Sequence, residues 1–129
     1  MQQKEEQYME FNPALPIYLQ VTTAIKRDIV TGELAPGEKL PSVRDMALRY
    51  TINPNTVGRV YKELESEGVC FTRRGMGTFV TEDPEKVEQV KEEMVQELSH
   101  QFLEGMKRLG IPPEEAVDRI RSLYEKERE

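Results

Sequence analysis

Seven side chains between residues 44 and 74 set the chemistry open to this 129-residue chain: Arg44, Asn55, Thr56, Arg59, Lys62, Arg73 and Arg74. Each can donate hydrogen bonds, and five of them carry a positive charge. Arginine and lysine bind phosphate oxygens. Asparagine can pair bidentately with adenine, and threonine can offer its hydroxyl to a base or phosphate and its methyl to thymine. No Ser/His/Asp set, glycine-rich phosphate loop or carboxylate pair can be assigned from the sequence. His100 has neither a cysteine nor a second histidine at ligand spacing. A binding protein is expected, without enzyme activity, metal or cofactor.

The elements that must position these groups follow from capping and periodicity. Asn53 suits an N-cap and Pro54 the first helical position. Val57, Val60, Tyr61 and Leu64 then recur at helical spacing, with Asn55, Arg59 and Lys62 on the opposite face and Thr56 at its edge. Tyr61 is expected in the core. Upstream, Ser42 can cap a short helix whose buried side is Val43, Met46, Ala47 and Tyr50, with Asp45 in the capping-box position. Ser42 is then mainly a cap, which can also offer its hydroxyl or N–H to a phosphate. Only Thr51-Ile52 separates the two helices, a helix-turn-helix spacing. Gly68 ends the second helix. Residues 69–73 and 78–80 flank Arg74-Gly75-Met76-Gly77, a hairpin with a basic, glycine-bearing tip. Glycines such as Gly75 let backbone approach closely, and an arginine suits a narrow minor groove, with Arg74 nearer the tip than Arg73. A polar first turn with a positive charge one turn later can enter a DNA major groove.

The fold class expected is mostly α with a small β-hairpin: an N-terminal winged helix-turn-helix and a C-terminal two-helix hairpin. Residues 1–12 read as a flexible arm, 13–81 as the winged helix and 82–129 as a helical dimerisation region. Ile17, Tyr18, Val21, Ile25 and Ile29 form the stripe of a first helix ending near Thr31-Gly32. In the turn segment 33–40, Leu34 and Leu40 are free to plug the core. A long helix, with Val87, Val90, Met94, Leu98, Phe102 and Met106 on its stripe, runs to about Leu109 and breaks at Gly110-Ile111-Pro112-Pro113. A last helix from Glu114 carries Ala116, Val117, Ile120, Leu123 and Tyr124 on one face. Two amphipathic helices are too few to enclose a core, so a two-fold dimer is the economical expectation over folding back on the same chain. That half is also too small for a separate effector-binding domain.

Net charge, −6 for the chain, argues against nucleic acid until its distribution is read. Residues 15–81 carry nine Lys/Arg against seven Asp/Glu, a net of +2, whereas residues 82–129 are −6. One cysteine, Cys70, fits a reducing cytosol, and no apolar run approaches a membrane span. A soluble cytoplasmic protein is expected. Two rivals share the fold: a winged helix used for protein–protein contact, and an architectural DNA binder without sequence preference.

The chain resembles GntR-type bacterial transcription regulators, in particular the YtrA-like subgroup with a short helical C-terminal region. The resemblance is carried by Pro16-Ile17-Tyr18-Leu19-Gln20, by residues 32–44 (GELAPGEKLPSVR), by Asn53-Pro54-Asn55-Thr56-Val57, by Tyr61-Lys62-Glu63-Leu64-Glu65 and by residues 73–80 (RRGMGTFV). It is dense over residues 13–81 and rests only on length and helical character beyond. It implies a homodimer on an inverted-repeat operator in double-stranded DNA, a phosphate or base contact for Arg44, a wing in the minor groove, and repression, often of ABC-type transporter genes. One departure stands out. Some GntR branches carry arginine where this chain has Gly58, so that base contact does not transfer.

Overall fold

A computed structural model describes residues 10–128; the arm expected over residues 1–12 lies outside them except for its last three positions. Seven elements follow in order: α1 (Ile17–Thr31), α2 (Val43–Tyr50), α3 (Pro54–Ser66), β1 (Cys70–Arg73), β2 (Gly77–Val80), α4 (Pro84–Arg108) and α5 (Pro113–Arg128). The chain forms two compact units, Met1–Lys91 and Glu92–Glu129, and α4 begins in the first and continues in the second.

In the first unit α1 is anchored by a side chain of its own. Gln20 Oε1 accepts the Asn12 N–H at 2.9 Å, and Gln20 Nε2 donates to the carbonyls of Asn12 (2.8 Å) and Leu15 (3.0 Å). These bonds hold the segment that leads into α1 against the first turn of the helix. Packing begins one turn later than the sequence stripe implies. Val21, Ala24, Ile25 and Ile29 are buried, whereas Ile17, in the first turn, is 43% exposed. Val57, Val60, Tyr61 and Leu64 of α3 close against the same core, joined by Leu34 and Leu40 from the α1–α2 connection and by Val69 and Val80 around the hairpin.

Helix ends show why the turns are tight. At the end of α3, Val69 N–H donates to Leu64 O (2.9 Å) and Gly68 N–H to Glu65 O (3.0 Å), with Gly68 at φ 78°. This is a Schellman motif, and its two apolar flanks, Leu64 and Val69, are both buried. Between α2 and α3 the same pattern recurs: Ile52 N–H donates to Ala47 O (3.0 Å) and Thr51 N–H to Leu48 O (3.3 Å). There the left-handed position is held by Thr51, at φ 58°, not by glycine.

The hairpin pairs antiparallel from Cys70↔Val80 to Arg73↔Gly77. The connection before α2 adds a third rung that the sequence reading treated only as a turn. Lys39 bridges Phe79, and Gly37, Glu38 and Leu40 exchange backbone hydrogen bonds of 2.8–2.9 Å with Val80 and Thr78. No alternating pattern marks this run, because Pro36-Gly37 leaves it too short to show one.

The second unit contains the rest of α4 and α5. Gly110, at φ 75°, ends α4 in another Schellman motif, with Ile111 N–H donating to Met106 O at 2.9 Å and Gly110 N–H to Lys107 O at 3.0 Å. Among its described residues Ala116 is the one buried apolar side chain, while Leu98, Val117, Ile120, Leu123 and Tyr124 are exposed.

Candidate nucleic-acid interface

Each N-terminus of the helix-turn-helix is capped from within, which leaves its outward side chains free for a ligand. Ser42 Oγ accepts the Asp45 N–H at 3.1 Å, so its principal part is structural, and Arg44 stands exposed in the first turn of α2. In α3 the Asn53 side chain accepts the Asn55 N–H at 2.8 Å, and Pro54 needs no partner. The Asn55 side chain is exposed and Thr56 half-buried. A Cβ at Gly58 would meet nothing within 4 Å, so packing does not demand glycine there.

One hydrogen bond ties the entry of α2 to the middle of α3. Tyr61, buried on α3, donates its hydroxyl to the Pro41 carbonyl at 2.6 Å, just ahead of the Ser42 cap. Burial, reinforced by the Cys70 thiol, pushes the Tyr61 phenol well above its ordinary value, so it remains the donor this bond requires. The sequence expectation of a core tyrosine holds, with this added tie.

Arg59 and Lys62 are exposed one and two turns further along α3. Arg59 is not free, however. Its guanidinium carbon lies 3.6 Å from the centroid of the Tyr18 ring on α1, a stacked cation–π contact. Lys62 is exposed on α3.

The wing is stiffened at its root and open at its tip. Phe71 and Phe79 stack across the strands at 5.5 Å, and the Thr72 and Thr78 hydroxyls meet at 3.4 Å. The Arg73 guanidinium sits 5.4 Å from the Phe71 ring. Met76 N–H donates to Arg73 O at 2.8 Å with Gly75 at φ 75°, the third-position geometry that a type II turn reserves for glycine. Arg74 and Gly75 are exposed at this tip. Gly77 is constrained twice: its φ is 123°, and a Cβ there would stand 2.7 Å from Lys39 Cε. The Lys39 side chain therefore runs beside β2 from Phe79 to Gly77, the partner of Arg73 next to the tip, and brings a third positive charge to this hairpin.

The structure thus places Ser42, Arg44, Asn55 and Thr56 at the N-termini of two helices joined by a tight turn, and holds Arg73, Arg74 and Gly75 on a separate element. Two neighbours of the site went unseen in the sequence. Tyr18 reads there as one more residue of an apolar stripe, and Lys39 as part of a turn. No local signal marks either, since their partners lie 41 and 38 positions away. Among the described residues no three His, Cys, Asp or Glu side chains converge as a metal-binding group, and no helix is long and apolar enough to cross a membrane.

Comparison with known proteins places this geometry. Residues 17–80 match the family described as bacterial regulatory proteins, gntR family. The uncharacterized HTH-type transcriptional regulator YhcF of Bacillus subtilis is 43% identical over 116 residues, covering 90% of this chain and 96% of YhcF. The HTH-type transcriptional repressor YtrA of the same organism is 42% identical over 87 residues, covering 63% of this chain and 67% of YtrA. Among solved structures, a GntR family transcriptional regulator from Listeria monocytogenes superposes with a TM-score of 0.82 at 37% identity, over 87% of this chain and 98% of its own. Similarity to YhcF and to the Listeria regulator extends through the α4–α5 half as well as the winged helix. The exposed helix starts, the wing and these full-length relatives agree: the chain belongs to the GntR family of DNA-binding transcription regulators and is not an enzyme.

Proposed function

We propose that this chain acts in the cytoplasm as a homodimeric repressor that reads an inverted-repeat operator in double-stranded DNA. Residues 13–81 would do the reading and residues 82–129 would join the two copies. The observation that carries the proposal is the pair of helix starts in the helix-turn-helix, where capping is internal and Arg44 and Asn55 are left exposed. Asn55 and Thr56 face base edges, Arg44 a phosphate or base, and Arg59 and Lys62 phosphates, with the Ser42 hydroxyl at the backbone. Arg73, Arg74 and Gly75 enter the neighbouring minor groove. A dimer places two such helices in successive major grooves, so the operator is a near-palindrome. Repression finds support in the similarity to the repressor YtrA, and a target among transporter genes in the resemblance to the YtrA-like subgroup. No metal or cofactor takes part.

Selection of random duplexes by the purified protein at near-physiological salt tests this directly. One inverted repeat is expected to enrich, and Arg44→Ala and Asn55→Ala are each expected to weaken it by about 1–3 kcal/mol. Retention without enrichment, insensitive to both substitutions, would overturn it.

A further inference from the structure

The motif Pro16-Ile17-Tyr18-Leu19-Gln20 lies on α1, away from the first turns of α2 and α3, yet its two polar members do unusual work. Gln20 fastens the entry of α1 through three hydrogen bonds, to Asn12 and Leu15. Fixing that entry also fixes the first turn in which Tyr18 stands, and the Tyr18 carbonyl is itself bonded by the Thr22 hydroxyl at 2.7 Å. The half-buried ring of Tyr18 then carries the Arg59 guanidinium at 3.6 Å.

We infer that Tyr18 is a positioning residue for DNA binding, a platform on α1 that holds the Arg59 guanidinium ready for a phosphate. The inference rests on the reading of α3 as the helix that meets DNA. Stacking uses the flat face of a guanidinium and leaves its five N–H groups, which lie in the plane, directed past the ring edge. A ring contact and a phosphate contact are therefore compatible, and the first lowers the entropy lost in making the second. Lysine lacks the plane and could not satisfy both in this way. The alternative assignment is a staple between α1 and α3 with no part in binding. It predicts the same fold but a different response to DNA.

The test uses a mixed-sequence DNA duplex, so that phosphate contact is measured apart from sequence reading, across a series of salt concentrations. Tyr18→Leu keeps apolar volume and removes the π face; it is expected to weaken binding about three- to fivefold, in line with an exposed cation–π contact. Tyr18→Phe should bind as the parent does. Arg59→Ala should weaken binding and lower the salt slope by about one. In the Arg59→Ala background, Tyr18→Leu should have no further effect. Independent, multiplying losses in the double variant would overturn the inference, as would an Arg59→Ala variant with unchanged affinity and slope. In the parent protein the Arg59 Nε–Hε resonance, ring-shifted by Tyr18, should move when duplex is added. A resonance that stays in place would overturn the inference even if Tyr18→Leu failed to fold. Loss of sequence selection with these effects intact would instead count against the operator-reading repressor.

Discussion

In the unit of residues 1–91, apolar side chains from three helices, the α1–α2 connection and the hairpin close on one another; in the unit of residues 92–129, most of them face solvent. Val21, Ile25, Leu40, Val57, Val60, Leu64, Val69 and Val80 are the fully buried set, and all belong to the first unit. In the second, Ile120, Leu123 and Tyr124 are 47%, 54% and 67% exposed on one face of α5. Both regions obey the same helical periodicity. The difference is the number of faces available: three helices, an added rung and a hairpin enclose a core, whereas two helices cannot. The first unit thus leaves polar side chains exposed at its helix starts and wing, and the second leaves apolar side chains exposed along α5.

The sharpest way to break this comparison is at the buried end of α3. Leu64 is fully buried and forms the Schellman flank with Val69. Leu64→Ala should cost about 4 kcal/mol, read as a fall in the urea midpoint. A loss below about 1 kcal/mol would show that the first unit does not depend on its closed core. In the second unit, Ile120→Glu combined with Leu123→Glu should leave the fold of the first unit intact and yield monomers in sedimentation. Losing the second half-site contact should weaken operator binding by about two orders of magnitude, near 2.7 kcal/mol. A double variant that remains dimeric would remove α5 from the proposed interface.

Much of this contrast was legible in the sequence, and the reason is that it is local. Caps at Ser42 and Asn53, Pro54 at a helix start, Gly68 after a helix end and the 3–4 spacing of Val57, Val60, Tyr61 and Leu64 all act within one or two turns, so a linear reading recovers them. The exposed stripe of α5 was legible too, because its residues had no second layer to meet. What escaped depends on pairs far apart in the chain. The rung at Lys39, the Tyr61–Pro41 bond and the Arg59–Tyr18 stack each require the tertiary fold before either partner has any reason to be where it is. Ile17 erred in the other direction: periodicity placed it on the stripe, but the core begins at Val21.

A smaller effect separates the buried unit by pH. Cys70 is buried, and burial, with Glu65 adding, pushes its thiol from an ordinary 9.0 up to about 12. A folded value above the unfolded one means that the neutral thiol is favoured by folding. This stability is complete below pH 9 and is lost as pH rises from about 9 through 12. By pH 10 the loss should be about 1.4 kcal/mol. Cys70→Ala, whatever its cost at pH 7, should show a shallower decline in stability between pH 9 and 11. An identical slope would mean that other groups, such as the Tyr50 and Tyr61 phenols raised by burial in the same sense, account for the alkaline limb.

The smallest predicted effect concerns the turn between α2 and α3. The helices α3 and α4 end with glycine in the left-handed position of a Schellman motif, Gly68 and Gly110, but α2 ends with Thr51 at φ 58° and ψ 52°. A β-branched residue is strained there, because its Cβ crowds the following carbonyl, while asparagine tolerates the same angles. Thr51 is exposed, so no buried contact offsets the strain. Thr51→Asn should therefore raise stability by about 0.5–1 kcal/mol, seen as a higher melting temperature, with DNA affinity unchanged within about twofold. Asparagine is the better probe than glycine, which would relieve the strain but also loosen the unfolded chain. A drop in stability would mean that the threonine side chain supports the turn in a way its backbone angles alone do not explain. A gain in stability accompanied by weaker DNA binding would show that the strained turn sets the angle between α2 and α3 that binding requires.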